Sequence, residues 1–398
     1  MTGKRPDLDV VVVGAGPAGC ECARRLADAG YRVLVAEEHA GAGEPVHCTG
    51  VISSQAYAAF ELPESAIQSE LTAAELTSPG GITLRVDLNG ARAYSVDRGA
   101  VDVSLASRAQ AAGVEFSYET RARDLEVNRS GVTLSGVRAR EPWTTRARAV
   151  VLATGAKSRL PRKAGLASAY EAIHGAQAEV RMSSPSTMRV WIGQGLVPGG
   201  FGWAVPGRAG WSRVGVLTRG KPKPILLQVA RHALDGASES MDAEAIRVHP
   251  VPAAPRYPTC GDRVLSVGDA AGQVKMTTGG GVYYGLLASR IAAEVLADGL
   301  SEGRLGARYL QRYESLWRRL LGPEQRAGQM LRKLASSVPD TQIDEIFRSA
   351  EARGLSRYLV DLVDFDWHAR SGVGLALTML SAVPGQGLGL RWLKRLMS

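Results

Sequence analysis

The run Asp9–Val13, followed directly by Gly14-Ala15-Gly16-Pro17-Ala18-Gly19, constrains this chain more than any other feature. Val10 to Val13 are β-branched and apolar without alternation, the pattern of a parallel strand buried on both faces. Cys20 to Ala29 then reads as a helix stopped by Gly30, and Tyr31 to Ala36 as a second buried strand ending at Glu37. Each glycine has a job in such a unit. Gly14 permits the tight turn, Gly16 lets the backbone approach a pyrophosphate, and Gly19 lets the helix pack close to the strand. The helix N-terminus offers unpaired N–H groups and partial positive charge to phosphates. Glu37 stands where a carboxylate accepts from ribose hydroxyls. A lone glycine pattern is weak, but here strand, turn, helix, strand and acid fall in order, which is a dinucleotide site.

Composition bounds the rest. A chain of 398 residues, 45% hydrophobic, can hold two or three domains. The net charge of +9 is spread along the chain rather than gathered in a basic arm, so no nucleic-acid partner is expected. It fits either a soluble basic protein or one attracting anions such as a phosphorylated substrate or an acidic membrane face. The cysteines, Cys20, Cys22, Cys48 and Cys260, lack the spacing of a zinc, thioredoxin or iron–sulfur site. So few in a large chain suggests a reducing, cytoplasmic setting. No signal peptide is visible. No apolar run reaches the roughly 20 residues that span a bilayer.

A second strand-to-turn unit lies far along the chain. Arg263–Val267 runs into Gly268-Asp269-Ala270-Ala271-Gly272, which resembles the second FAD fingerprint of the glutathione-reductase-like flavoproteins. The resemblance implies that FAD is the cofactor and that the Gly268 turn presents Asp269 to the ribityl chain. It also implies that Gly279, Gly280 and Gly281 open the helix Val282–Ala297 beside the isoalloxazine. A helix N-terminus there would stabilise negative charge on reduced flavin. Ala149–Gly155 resembles the Ala-Thr-Gly element of these proteins. Val96-Asp97-Arg98, with Val101, Asp102 and Leu105, resembles the segment whose arginine reaches the cofactor. Arg98 is either that contact or a solvated helix-start arginine. Ala122 is placed by position to meet adenine through its backbone.

The fold class expected is α/β, with a doubly wound glutathione-reductase-like FAD-binding domain, an inserted antiparallel substrate sheet and a C-terminal helical region. The FAD domain is assigned to 1–75, 92–162 and 255–300, the substrate domain to 76–91 and 163–254, and the helical region to 301–398. Strand-like stretches at Gly81–Asp87, Met188–Gly193 and Ser212–Thr218 support the inserted sheet. Beyond 301, Tyr309, Tyr313, Trp317 and Leu320 fall on one helical face, expected to pack as core. In the tail, Val373–Val383 is too short to span, and Pro384 ends it. Leu388–Met397 then mixes Trp392, Leu393 and Leu396 with Arg391, Lys394 and Arg395. That composition suits a peripheral membrane contact or packing on the protein's own surface.

Three segments narrow the chemistry: Glu44-Pro45-Val46-His47-Cys48-Thr49-Gly50, Gly199-Gly200-Phe201-Gly202-Trp203-Ala204-Val205-Pro206, and Gly268–Leu287. Together they resemble the geranylgeranyl reductase family, whose members reduce carbon–carbon double bonds of prenyl chains on diphosphate, phospholipid, chlorophyll-precursor or quinone head groups. The family often has Tyr at Phe201, Phe at Val205 and Pro near Met276, so the pocket here departs from the common pattern. The resemblance implies a prenyl-chain substrate, a slot lined by Phe201, Trp203 and Pro206, and a cysteine near the flavin at Cys48. An isolated trisubstituted alkene accepts hydride only if a proton arrives early on the neighbouring carbon, and an acid in a dry slot favours this. Cys48 is the residue for that role or for shaping the pocket. His47 reads as a solvent-facing turn residue, Cys20 and Cys22 as packing residues, and Tyr283 and Tyr284 as core.

An FAD-dependent monooxygenase on an apolar or aromatic substrate is the alternative. A flavin halogenase is weaker, since the first tryptophan of its paired motif is missing. An electron-transfer flavoprotein passing electrons to quinone would need an iron–sulfur site. No second complete glycine fingerprint marks a separate nicotinamide domain. The reductant is therefore left open between NAD(P)H, ferredoxin and a small reductase partner.

Overall fold

The computed structural model describes residues 8–90, 92–166, 172–182, 186–234, 246–354 and 364–369. The tail segments Val373–Val383 and Leu388–Met397 lie outside the described residues. The valine run forms β1 (Leu8–Val13), and Pro17 opens α1 (Pro17–Asp28) at a position where no N–H is missed. Next come β2 (Val33–Ala36), β3 (Val51–Ser53), α2 (Ser54–Phe60), β4 (Ile67–Leu71), β5 (Ala73–Thr77), β6 (Thr83–Asp87) and β7 (Ala93–Val96). They are followed by α3 (Arg98–Ala111), β8 (Glu115–Ser117), β9 (Thr120–Asn128), β10 (Gly131–Arg138), β11 (Glu141–Leu152) and α4 (Leu160–Lys163). The second half holds β12 (Ala172–Arg181), β13 (Thr187–Ile192), β14 (Phe201–Pro206), β15 (Trp211–Thr218), α5 (Pro222–Ala233) and β16 (Arg247–Pro252). It ends with β17 (Cys260–Gly261), β18 (Val264–Ser266), α6 (Val282–Glu302), α7 (Ala307–Ala335) and α8 (Asp340–Ala352).

Three sheets result. The first runs β17-β18-β11-β1-β2-β8, with β9 and β10 as an extension of β11. Its centre, β18-β11-β1-β2-β8, is parallel, as the unbroken apolar runs require. The second runs β16-β12-β15-β14-β13-β5-β6 and is antiparallel except where β13 pairs with β5 in parallel, Thr187 opposite Ala73. The third is β3-β7-β4, with β5 and β6 of the second sheet between β4 and β7 in the chain.

The cores follow the sheets. One face of the first sheet packs α1, α3, α6 and α7 into one cluster running from Val10 through Leu26 and Leu286 to Trp317. Helix α7 is therefore not a separate layer: Tyr309, Tyr313 and Trp317 belong to this core, while α8 packs Ile343 and Phe347 with Leu84 of β6. Leu320 corrects the expectation, being 40% exposed while Leu321 is buried. Four-residue steps from Tyr313 and Trp317 lead to 321, which keeps the buried stripe on one face. The second sheet, the inserted one, has its own core under α5, with Val214, Val216, Leu226 and Val229 at its centre.

Candidate active site

The loop after β1 has the shape that a pyrophosphate needs. Gly14 has φ +107°, and a Cβ there would meet the Ala153 carbonyl oxygen at 2.4 Å. A Cβ at Gly19 would lie 2.0 Å from the Gly14 carbonyl oxygen, so α1 can reach the strand only without one. Gly16 is different: nothing stands within 4 Å of its absent side chain. That open space faces the first turn of α1, where no side chain caps the N–H groups. An anion fits there and a side chain would fill it. Glu37 accepts from the Ala15 N–H at 2.7 Å, from the His39 N–H at 3.0 Å and from His39 Nδ1 at 2.6 Å. The carboxylate thus fixes both the glycine turn and the end of β2. Thr120 N donates to the Glu37 carbonyl at 2.7 Å, which carries Ala122 on β9 to the same end of the sheet.

The second fingerprint arrives at the same crevice. Gly268 adopts φ +66°, and a Cβ on it would meet Ala18 of α1 at 3.1 Å. The two glycine loops are therefore neighbours. Asp269 stands against Gly281, whose absent Cβ would lie 2.6 Å from Asp269 Oδ1. Burial raises the Asp269 carboxyl to about 6, against the opposing pull of Arg256 and Arg98. Gly281 precedes α6 with no capping side chain, leaving that helix's first N–H groups free to meet a ligand. Arg98 begins α3 buried rather than solvated, 7% exposed and ion-paired with Asp102.

The inserted sheet supplies an apolar wall. Phe201 and Trp203 project from the same face of β14, their ring centroids 5.6 Å apart. They pack with Ile173, Leu217, Val251 and Ala253. The Trp203 indole lies flat over Gly215 of β15, where a Cβ would meet its ring at 2.2 Å. A Cβ on Gly279 would touch Val251 at 2.9 Å and Leu217 at 3.5 Å, so the glycine triplet runs against this wall. Pro206 has different surroundings. It is buried at the opposite end of β14, and its carbonyl accepts from Ser95 of β7. Those are the surroundings of a joint between sheets.

Cys48 is held at the junction. Gly50 N donates to its Sγ at 3.3 Å, and Gln177 of β12 donates to its carbonyl at 3.2 Å while accepting from Thr49 Oγ1 at 2.9 Å. It is partly exposed, whereas Cys20, Cys22 and Cys260 are buried. Burial pushes the Cys22 thiol up to about 12 and that of Cys260 likewise to about 12. His47 corrects the expectation of a solvent-facing turn residue. Its ring stacks on His249 of β16 at 4.6 Å, and Nδ1 of each is buried without a partner. Burial, then Lys157, Arg247 and His39, push His47 down; burial, His47 and Lys157 take His249 to about 4.

Several neighbours of the site are not among the residues singled out from the sequence. Lys275, against Gly280, forms a buried ion pair with Asp366 at 3.0 Å and lies over the Phe365 ring. Tyr284 OH donates to the Asp366 carbonyl at 2.8 Å, and Trp367 packs on Tyr283 and Tyr284. The signal was present in Asp364-Phe365-Asp366-Trp367-His368, an aromatic and ionisable knot in a helical region. Gln177, Arg213 and His249 carried no signal, because strand pairing alone brings them here. Among the described residues, no group of histidines, cysteines and carboxylates could hold a metal.

Comparison with known proteins agrees with this geometry. The pyridine nucleotide-disulphide oxidoreductase family profile matches residues 8–196. A digeranylgeranylglycerophospholipid reductase of Methanothermobacter thermautotrophicus is 32% identical over 87% of this chain and 93% of its own. Among solved structures, a geranylgeranyl bacteriochlorophyll reductase-like protein of Thermoplasma acidophilum superposes with a TM-score of 0.82 over 98% of this chain and 99% of that one, at 21% identity. The p-nitrophenol 4-monooxygenase of Pseudomonas putida shares the fold at TM-score 0.67 and 17% identity, covering 94% of this chain and 98% of that one. The cofactor of such a fold is FAD, and the glycine cradle at Gly16 fits it. By its similarity across most of its length, the chain belongs to the digeranylgeranylglycerophospholipid reductase family of FAD-dependent oxidoreductases.

Proposed function

We propose that this protein saturates carbon–carbon double bonds of a polyprenyl chain carried on a glycerophospholipid head group. What supports the reading is the run of Gly279 against the apolar wall that holds Phe201 and Trp203, together with a Cys48 loop tied by Gln177 to β12 of the same sheet. In this reading Gly14, Gly16, Gly19, Glu37, Arg98, Ala122, Gly268 and Asp269 hold FAD, and Phe201 and Trp203 hold the prenyl chain. Bound FAD, once reduced, supplies hydride. The chain's own residues do the rest. The aromatic wall excludes water from the alkene and offers its π faces to positive charge developing on the tertiary carbon. Cys48 Sγ holds the proton destined for the neighbouring carbon. Gln177 and Gly50 fix the Cys48 loop against the sheet that carries the wall.

A prenylated phospholipid resides in a bilayer, so peripheral membrane contact is part of the reading. Among the described residues no helix is long and apolar enough to cross a membrane. The test is product mass. Purified holo-protein, reduced chemically without oxygen, is given a digeranylgeranyl glycerophospholipid, geranylgeranyl diphosphate or a menaquinone. Gain of hydrogen pairs by the phospholipid supports the reading. Gain only by another substrate moves the head group. An added oxygen atom on admitting air would favour the monooxygenase alternative.

A further inference from the structure

The inserted sheet carries a buried cation that no acid balances. Arg213 of β15 is 6% exposed. Its Nη1 donates to the Val96 carbonyl at 2.8 Å, and its Nη2 to Gln68 Oε1 at 3.0 Å and to Ser95 Oγ at 2.5 Å. All three acceptors are neutral, and Nε has no partner. Among the described residues no carboxylate pairs with it. Asp97 and Glu179 act on it only from a distance: Asp97 caps α3 through the Ala100 N–H at 3.0 Å, and Glu179 faces Arg208 at 3.8 Å. Its buried neighbour Arg98 has Asp102 as a counter-ion. Burial pushes the Arg213 guanidinium below its ordinary range. Taking a guanidinium out of water without a counter-ion is costly, and neutral acceptors offset only part of that cost. A charge kept under such conditions points to an anion that forms nearby.

An anion-forming atom whose charge acts on Arg213 is Cys48 Sγ, across Gly50. Arg213 Nη1 lies 2.9 Å from where a Gly50 side chain would begin, and Gly50 N is 3.3 Å from Cys48 Sγ. Arg98 lies beside the same thiol. Gly50, at φ +76°, has no side chain to separate them. We propose that Arg213 is a positioning residue whose charge stabilises the thiolate left at Cys48 after proton delivery. The S–H bond breaks and its proton forms a C–H bond on one alkene carbon. The hydride, with its electron pair, forms the other C–H bond. The thiolate then regains a proton from water. This rests on the prenyl-reductase reading, but its test needs no substrate.

The thiolate is the species that iodoacetamide attacks, and the other three cysteines are buried. In folded holo-protein, Arg213→Met is expected to slow Cys48 alkylation at pH 7 measurably, because a positive charge beside the thiol favours the thiolate that reacts. Arg213→Lys should recover most of it. Ser95→Ala, which leaves the charge in place, should alkylate at close to the wild-type rate. If Arg213→Met fails to fold, Arg213→Gln keeps donors for Val96 and Ser95 without the charge, and the same slowing is expected. A neutral variant with full flavin content and wild-type alkylation overturns the proposal. So does one that alkylates normally but binds a phosphorylated substrate poorly, because the missing anion would then belong to substrate. Slowed alkylation in a protein that reduces no prenyl chain would retain the pairing and reject the substrate reading.

Discussion

Gly14 and Gly16 fail in opposite ways when given a side chain. At Gly14 the backbone is at φ +107° and the Ala153 carbonyl blocks a Cβ. Gly14→Ala is expected to cost about 1–3 kcal/mol of folding stability from backbone strain alone, read by urea denaturation of apo-protein. Gly16 has an extended backbone and empty space, so Gly16→Val should fold normally and purify almost free of flavin. A Gly16→Val protein with full flavin absorbance would remove the loop from the cofactor site. Asp269 adds a pH dependence. Its carboxyl titrates near 6 in the folded chain, so the folded state holds this proton more tightly than the unfolded one. That stabilisation is present below the ordinary value of 3.8 and is lost as pH rises through about 6. The ionised form is the stronger acceptor for FAD hydroxyls, so FAD affinity is expected to rise over the same window. Fluorescence titration at pH 5 to 7 is expected to show this in wild type and a flat response in Asp269→Asn. The glycines were legible because a turn demands them. His47 was not, because its setting depends on His249 of β16, far along the chain.

At the scale of elements, β14 and β15 form one device. Trp203 and Gly215 are direct cross-strand partners, and the missing side chain gives the indole its bed. Gly215→Ala must displace the ring, at an overpacking cost of about 1–3 kcal/mol. A shift in tryptophan emission and loss of turnover with retained FAD are the expected results. Unchanged turnover would take Trp203 out of the substrate wall. The sequence showed the aromatic motif of β14 without its strand, and alternation showed β6, β13 and β15. It did not show that β5 joins β13 in parallel, which begins the inserted sheet at Ala73. Periodicity reports which face is apolar, not which partner covers it. The same reasoning explains α7, whose helix was legible and whose docking surface was not.

At the scale of the molecule, α7 ties the C-terminal region to the cofactor-binding sheet. Trp317 is fully buried and donates to Thr259 Oγ1 at 3.0 Å, and Tyr313 OH donates to the Ser266 carbonyl at 2.7 Å. Gln273, beside the second fingerprint, donates in turn to Tyr313. Trp317→Ala is expected to cost about 3–5 kcal/mol, with flavin release and unfolding coinciding in a thermal scan. Separate transitions would mean that α7 is independent of the FAD-binding sheet. One fold carries the glycine turns of a phosphate cradle, an apolar wall on the inserted sheet and a partly exposed thiol tied to that sheet, and the same fold elsewhere serves a monooxygenase. These residues, not the fold, decide between them.

The most direct test of prenyl reduction is flavin reoxidation without oxygen. Reduced holo-protein is mixed anaerobically with a digeranylgeranyl glycerophospholipid, and the oxidised flavin band is followed in wild type and Cys48→Ala. Return of the band in wild type, matched by saturated lipid, with most of the rate lost in Cys48→Ala and its FAD retained, is the expected result. A band that returns only when oxygen is admitted would contradict prenyl reduction, and an unimpaired Cys48→Ala would remove the thiol from the chemistry.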